Sequence, residues 1–255
     1  MTSELPGTMD AVLLTGYGGF DKLEYHDDVP VPTPGNGEVL IRVGAAGINN
    51  AVICDWTDAE LASIPCAYSA AENMLHRSNL SPGETVLVTG ASGGVGSAAV
   101  QLARRRGATV IAVSGKSKAT AVQSLGAQHV IDRGESMIDA VGKNRIDVVV
   151  DLVAGPQWPQ LLEVLRNGGR YAWAGAIARP MVDLDVRTLY LKDLSLLGCT
   201  FQEDIVFENL VGYIEKDEIR PLVDNTYPLK DIVSAQKDFL AKQFVGKLVL
   251  VPEGR

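Results

Sequence analysis

The stretch Val86-Leu87-Val88-Thr89-Gly90-Ala91-Ser92-Gly93-Gly94-Val95-Gly96-Ser97 constrains this chain more than any other. An apolar, β-branched run gives way to glycines, and Ala98, Ala99, Leu102 and Ala103 continue directly after them. The pattern predicts a strand, a tight turn and a helix in immediate succession. That order suits a dinucleotide. Gly93 lets the backbone approach a pyrophosphate, and Gly96 lets the helix pack closely on the strand. The free N–H groups and the dipole at the helix start then face the phosphate charge. Ala91 stands where the first glycine of G-x-G-x-x-G usually falls, with Gly90 beside it. Ala91, Ser92, Gly93, Gly94, Val95 and Gly96 are therefore the candidate phosphate contacts. A tight structural turn in an unrelated α/β unit is the plainer alternative.

Around this motif the chain alternates strands and helices. Thr85–Thr89 reads as the first strand, and Ser97–Arg106 as a helix ending in three arginines that suit its negative pole, with Gly107 as the stop. Thr109–Val113, His129–Ile131, Asp147–Val153, Arg170–Ala174 and Leu194–Leu197 read as further strands. Asp147–Val153 is almost continuously apolar, as a parallel strand covered on both faces should be. Helices are expected at Ser117–Leu125 and Trp158–Arg166, the latter closed by Gly168-Gly169, and Val206, Leu210, Val211 and Ile214 share a helical face. This β-α-β-α order predicts a doubly wound parallel sheet.

Both ends of the chain read differently. Ala11–Leu14 and Val39–Val43 have strand composition, and the prolines of Val29–Gly35 favour extended, turn-rich backbone. Near the C-terminus come Tyr227-Pro228, a helix around Asp231–Leu240 and a strand Lys247–Val251. The two ends are expected to form one smaller domain, residues 1–65 with 220–255, interrupted by a nucleotide-binding domain at 66–219.

Composition narrows the partners. The 255 residues carry 23 basic and 31 acidic side chains, a net charge of −8, which argues against nucleic acid or an anionic membrane. No apolar run approaches a membrane span, and the N-terminus lacks the basic and apolar regions of a signal peptide. Cys54, Cys66 and Cys199 are far apart, and His26, His76 and His129 form no metal-binding spacing. The chain is thus expected in a reducing, cytoplasmic compartment, with no metal site written in its sequence. Trp158, Trp173 and Tyr190 are expected in a core or an interface rather than on a substrate.

Several segments together resemble the medium-chain dehydrogenase/reductase superfamily, in its zinc-independent quinone-reductase branch or a close alcohol-dehydrogenase-like relative. They are Gly35-x-Gly37-Glu38-Val39-Leu40-Ile41-Arg42-Val43 with Ala46-Gly47-Ile48-Asn49, then Pro82–Val88 with Gly90–Gly96. Gly126-Ala127 leading to Val130-Ile131-Asp132, and Gly246–Leu250, complete the set. They stand in the family's order and span nearly the whole chain. The resemblance implies an α/β protein with a Rossmann doubly wound sheet and a smaller, split GroES-like β domain. One departure is large. The family usually carries a long segment between Asn49 and the region of Ala59–Met74, whereas here Asn49-Asn50 runs straight into Ala51–Trp56. The implied small domain is shortened, with strand edges left open.

Cofactor choice follows from the residues after the second strand. A carboxylate about twenty positions beyond the glycines would bond the ribose 2′-hydroxyl of NAD. Ser114-Gly115-Lys116-Ser117-Lys118 stands there instead, with two lysines that would attract a 2′-phosphate. By resemblance, Lys118 falls on a phosphate-binding lysine and Arg133 on a second contact. NADP(H) is expected over NAD(H), with Ser114, Lys118 and Arg133 as contacts; a solvated basic loop is the alternative. Val153, Ala174 and Ala176, at the carboxyl ends of their strands, are candidate nicotinamide neighbours or simply tight turns. By resemblance Asn49 is the candidate catalytic residue, its amide bonding a ribose hydroxyl or polarising a substrate carbonyl so that hydride arrives at the conjugated carbon; a strand-end turn residue is the alternative.

The implied activity is hydride transfer between NADP(H) and a small carbonyl or alcohol substrate, as in a quinone or enone reductase, by a homodimer paired through Leu194–Leu197. Two other readings stay open. One is a zinc-type alcohol dehydrogenase whose ligands belong to the absent segment. The other is a non-catalytic NADPH-binding homologue or redox sensor.

Overall fold

A computed structural model describes residues 6–47 and 58–252. The chain divides into two compact units, Met1–Pro65 with Val223–Arg255, and Cys66–Leu222. In the first unit, β1 (Thr8–Leu14) and β2 (Leu23–Pro30) form an antiparallel pair. The short strand β3 (Ala46–Gly47) and helix α1 (Asp58–Ala62) follow.

The run Val39–Val43 does not form the strand its composition predicts. It has no ladder partner among the described residues, and Val39 is 80% exposed. β-branched composition favours a pleated surface, but a strand exists only where a second one pairs with it. Among the described residues this segment has no such partner.

Helix α2 (Ile64–Arg77) leads into the second unit. There the elements alternate: β4 (Thr85–Val88), α3 (Gly94–Arg105), β5 (Thr109–Ser114), α4 (Ala119–Ser124), β6 (His129–Asp132), α5 (Met137–Val141) and β7 (Ile146–Asp151). Then come α6 (Trp158–Val164), β8 (Leu165–Trp173), α7 (Val186–Leu191), β9 (Ser195–Gly198) and α8 (Asp204–Glu215). All six strands are parallel, in the order β6-β5-β4-β7-β8-β9. The direction of winding reverses between β4 and β7, where an open α/β sheet forms its ligand crevice.

The core follows from the apolar strands. Val86, Leu87, Val88, Val148, Val149 and Val150 are fully buried, and each such side chain contributes about 1.5–3 kcal/mol relative to exposure. Trp158, Tyr171 and Trp173 pack together, with centroids 4.5–5.1 Å apart, and Trp158 donates its indole N–H to the Asp183 carbonyl at 2.8 Å. Tyr190 stays exposed.

Several elements differ from the sequence pattern. Helix α6 stops at Val164 rather than Arg166. The Lys192 ammonium takes the Leu162 and Glu163 carbonyls at 2.7 and 3.2 Å, and the Arg145 N–H takes that of Val164. The last turn is thus satisfied from outside, and β8 begins at once at Leu165, its ladder slipping between Ile146 and Val148. The helix expected from Ser117 opens as a 3₁₀ turn, Lys116–Lys118, before α4. Helices α5 and α7, each one turn and a half, were not legible from periodicity; both carry side-chain caps, Ser136 accepting from Asp139 N–H and Asp185 from Arg187 N–H.

The C-terminal segment returns to the first unit with β10 (Val223–Pro228), α9 (Ile232–Ala241) and β11 (Lys247–Val251). β11 is central, parallel to β10 and antiparallel to β3. Ile232, Ala235, Leu248 and Leu250 form the small core beneath them.

Candidate functional site

Every candidate contact in the second unit lies at the carboxyl edge of its sheet. β4 ends in Thr89 and Gly90, and the Ala91 N–H bonds the Val113 carbonyl at 3.1 Å. Gly90 has φ +59°, a left-handed conformation that suits glycine. A Cβ on Gly96 would stand 2.2 Å from the Gly90 carbonyl oxygen, so only glycine lets α3 sit on this turn. Gly93 is different. Its φ of −80° is open to any residue, and a Cβ there would meet only the Gly90 oxygen at 3.5 Å. The fold does not demand glycine at 93, whereas close approach by a ligand would.

The start of α3 fits an anion. No side chain caps it, its first turn holds no acid, and the first helical bond runs from Ser97 N–H to the Gly93 carbonyl at 2.8 Å. The amides of Gly94, Val95 and Gly96 precede that bond and carry the positive end of the helix dipole. Ala91 is buried, while Ser92, Gly93, Gly94 and Val95 are partly accessible.

The ends of β5 and β6 bring the next group together. Ser114 is buried and its carbonyl accepts the Arg133 N–H at 2.9 Å. The Arg133 side chain passes beside Gly115, with Nε 4.0 Å from a Cβ placed there, and the Lys118 N–H closes a turn onto the Gly115 carbonyl. The ladder also sets Asp132 opposite Ser114, a carboxylate the spacing rule does not reveal; it accepts the Gly134 N–H at 2.9 Å.

At the end of β7 stands Asp151, fully buried. Its carboxylate accepts hydrogen bonds from the Thr89 hydroxyl, the Tyr171 hydroxyl at 2.6 Å, and the N–H groups of Val153 at 2.9 Å and Ala154 at 3.0 Å. Thr89 in turn accepts the Leu152 N–H at 3.0 Å. Burial, the Asp151 charge and this bond push the Tyr171 phenol far above its ordinary range, so it remains a donor. Val153 touches the glycine turn, its Cγ2 3.2 Å from where a Gly90 Cβ would be. Ala174 and Ala176 are exposed, and Gly175 between them is required by the Leu152 oxygen, 2.7 Å from its missing Cβ. The tight-turn reading thus accounts for Gly175.

Sequence reasoning missed Thr89, Asp151 and Tyr171 as a group. The one available signal was a carboxylate at the end of an otherwise apolar buried strand. Asn49 lies outside the described residues. Among the described residues, no three His, Cys, Asp or Glu side chains gather where they could hold a metal ion.

The comparisons with known proteins agree with this architecture. Residues 94–216 match the family model of zinc-binding dehydrogenases. The acryloyl-coenzyme A reductase of Metallosphaera sedula is 33% identical over 196 residues, 76% of this chain, which spans 58% of that enzyme's length. The quinone oxidoreductase of Rattus norvegicus is 25% identical over 325 residues, 95% of this chain and 98% of its own. That alignment is longer than the 255-residue chain, so the rat enzyme has internal positions without a counterpart here. A solved structure from Sinorhizobium meliloti 1021, provisionally named an alcohol dehydrogenase, is 41% identical, covers 98% of both chains and superposes with a TM-score of 0.91. On this fold, this sequence and these relatives, the chain belongs to the medium-chain dehydrogenase/reductase superfamily.

Proposed function

We propose that the chain is an oxidoreductase that binds NADP(H) and passes hydride between it and a small conjugated carbonyl compound. The observation that carries this reading is the uncapped start of α3, where Gly93 has a side-chain-free surface the fold does not need. The amides of Gly94–Gly96 would hold the pyrophosphate. Ser114, Lys118 and Arg133 would hold the adenosine 2′-phosphate, and Val153, Ala174 and Ala176 would border the nicotinamide. When bound, the cofactor supplies the hydride; the protein supplies position and electrostatics. Asn49 would donate its amide N–H to the substrate carbonyl, favouring charge that develops on that oxygen as hydride arrives. The names of the relatives, an acryloyl thioester reductase and quinone oxidoreductases, support an acceptor conjugated to a carbonyl.

We further propose a homodimer formed through the open edge of β9, the outermost strand of the sheet. Among the described residues no helix is long and apolar enough to cross a membrane.

Fluorescence titration with NADPH and NADH tests the reading first, followed by turnover on quinones, enones and acryloyl-coenzyme A. Tighter binding of NADPH with turnover of any of these supports it. Binding of neither dinucleotide refutes it. The positions the rat enzyme has and this chain lacks favour one second reading, a nucleotide-binding homologue without catalysis. Tight NADPH binding with no turnover on that panel would select it.

A further inference from the structure

We propose that Asp151 is a positioning residue for the nicotinamide end of the bound cofactor, tying the ends of β4, β7 and β8 to one point and holding the backbone of Ala154. The inference rests on the cofactor reading above.

A parallel strand covered on both faces needs only apolar side chains, and a buried carboxylate is costly unless hydrogen bonds surround it. Asp151 is fully buried in such a strand and surrounded on every side. Its donors come from three separate strand ends: Thr89 after β4, Val153 and Ala154 after β7, and Tyr171 in β8. What this carboxylate holds is unusual. Ala154 has φ 57° and ψ −153°, a region occupied almost only by glycine. Its N–H is taken by both carboxylate oxygens, at 3.0 and 3.2 Å, and it bridges to Arg179. The Ala178 N–H bonds the neighbouring Val153 carbonyl at 3.0 Å. A strained residue so thoroughly held marks a place where shape matters to function.

The location gives that shape a use. In this strand order β7, β8 and β9 form the second mononucleotide half, so the ends of β7 and β8 face the nicotinamide side of the crevice. Through Val153 against Gly90, and Leu152 against Gly175, the held loop sets the outline of its two neighbours.

The test uses the full chain as wild type, Asp151→Asn, Tyr171→Phe and Ala154→Gly. Each is titrated with NADPH and with adenosine 2′,5′-bisphosphate, which carries only the adenine half. Titrations run at a temperature where circular dichroism shows every variant folded, and melting temperatures are recorded beside them. If the wild type prefers NADH, that dinucleotide and ADP replace the pair. The expected result for Asp151→Asn is an NADPH Kd raised about tenfold, with less than about a twofold change for the fragment. Ala154→Gly is expected to keep or raise the melting temperature while weakening NADPH about threefold or more. It carries the test if Asp151→Asn does not fold. Variants that melt earlier yet bind NADPH as the wild type does would show a purely structural carboxylate and overturn the inference. So would equal losses for dinucleotide and fragment. A wild type that binds neither dinucleotide would overturn the cofactor reading itself, a result distinct from either.

Discussion

A Cβ on Gly96 would stand 2.2 Å from the carbonyl oxygen of Gly90, and 2.7 Å from the Cα of Ala91. Backbone lies on the far side of both gaps, so no rotamer change can relieve them. Gly96→Ala should therefore force α3 away from its turn and destabilise the protein by about 1–3 kcal/mol, the usual range for overpacking. Gly93→Ala, with only a 3.5 Å contact to absorb, should leave the melting temperature nearly unchanged and weaken NADPH binding. Thermal melts beside NADPH titrations check both. A Gly93→Ala protein that binds NADPH at full strength would remove the ligand from that surface.

Arg133 follows β6 with its side chain beside Gly115, and Lys118 lies in the 3₁₀ turn after β5, its N–H bonded to the Gly115 carbonyl. A charge-assisted bond to a 2′-phosphate is worth about 1.5–3 kcal/mol. Lys118→Ala should then raise the KM for NADPH about 10- to 100-fold and leave that for NADH alone, and the discrimination should shrink as salt is added. Steady-state kinetics with both cofactors at two ionic strengths give the answer. Equal effects on the two cofactors would mean that the lysine does not read the phosphate.

The foot of the same sheet carries a different electrostatic device. Burial alone would raise the Asp147 carboxyl, but the Thr85 N–H and the Arg166 guanidinium outweigh it and hold the carboxyl below its ordinary value. A depressed carboxylate contributes stability that is present above the unfolded pKa, near 4, and is lost as pH falls through the folded one. The melting temperature should drop on acidification below about pH 4, and Asp147→Asn should flatten that drop while lowering the melting temperature at pH 7. This edge is remote from the candidate contacts, so NADPH affinity should not follow. A variant with unaltered acid dependence would assign the drop to other carboxylates.

Lys192 ends helix α6 by donating to the Leu162 and Glu163 carbonyls. Lys192→Met keeps much of the stem and removes the donors, leaving the Leu162 carbonyl under-satisfied while that of Glu163 keeps the Asn144 N–H at 3.1 Å. A loss of about 1–2 kcal/mol is expected in urea unfolding, with an unchanged m value. No measurable loss would mean that water replaces the ammonium there.

What could be read directly from the chain was whatever its local chemistry settles. Apolar β-branched runs stopped by glycine marked the six parallel strands, and the Gly93–Gly96 turn marked the candidate phosphate site, because strand, turn and helix are contiguous there. Lys118 and Arg133 are candidate contacts by resemblance, Lys118 within the two-lysine stretch that follows β5 and Arg133 just after β6. Other features needed the assembled molecule. Val39–Val43 has every local mark of a strand and is none, since pairing depends on a second segment. Helix α6 ends where Lys192, far along the chain, reaches its carbonyls. Thr89, Asp151 and Tyr171 meet only because the order β4-β7-β8 and its register set their side chains around one buried point. Sequence by itself determined the six strands of the larger unit and the helices α3, α4, α6 and α8, because those preferences are local, whereas the short helices α5 and α7 emerge only in the folded chain. Tertiary structure alone decided which distant polar groups share a buried site, because hydrogen bonds there depend on sheet register and not on spacing along the chain.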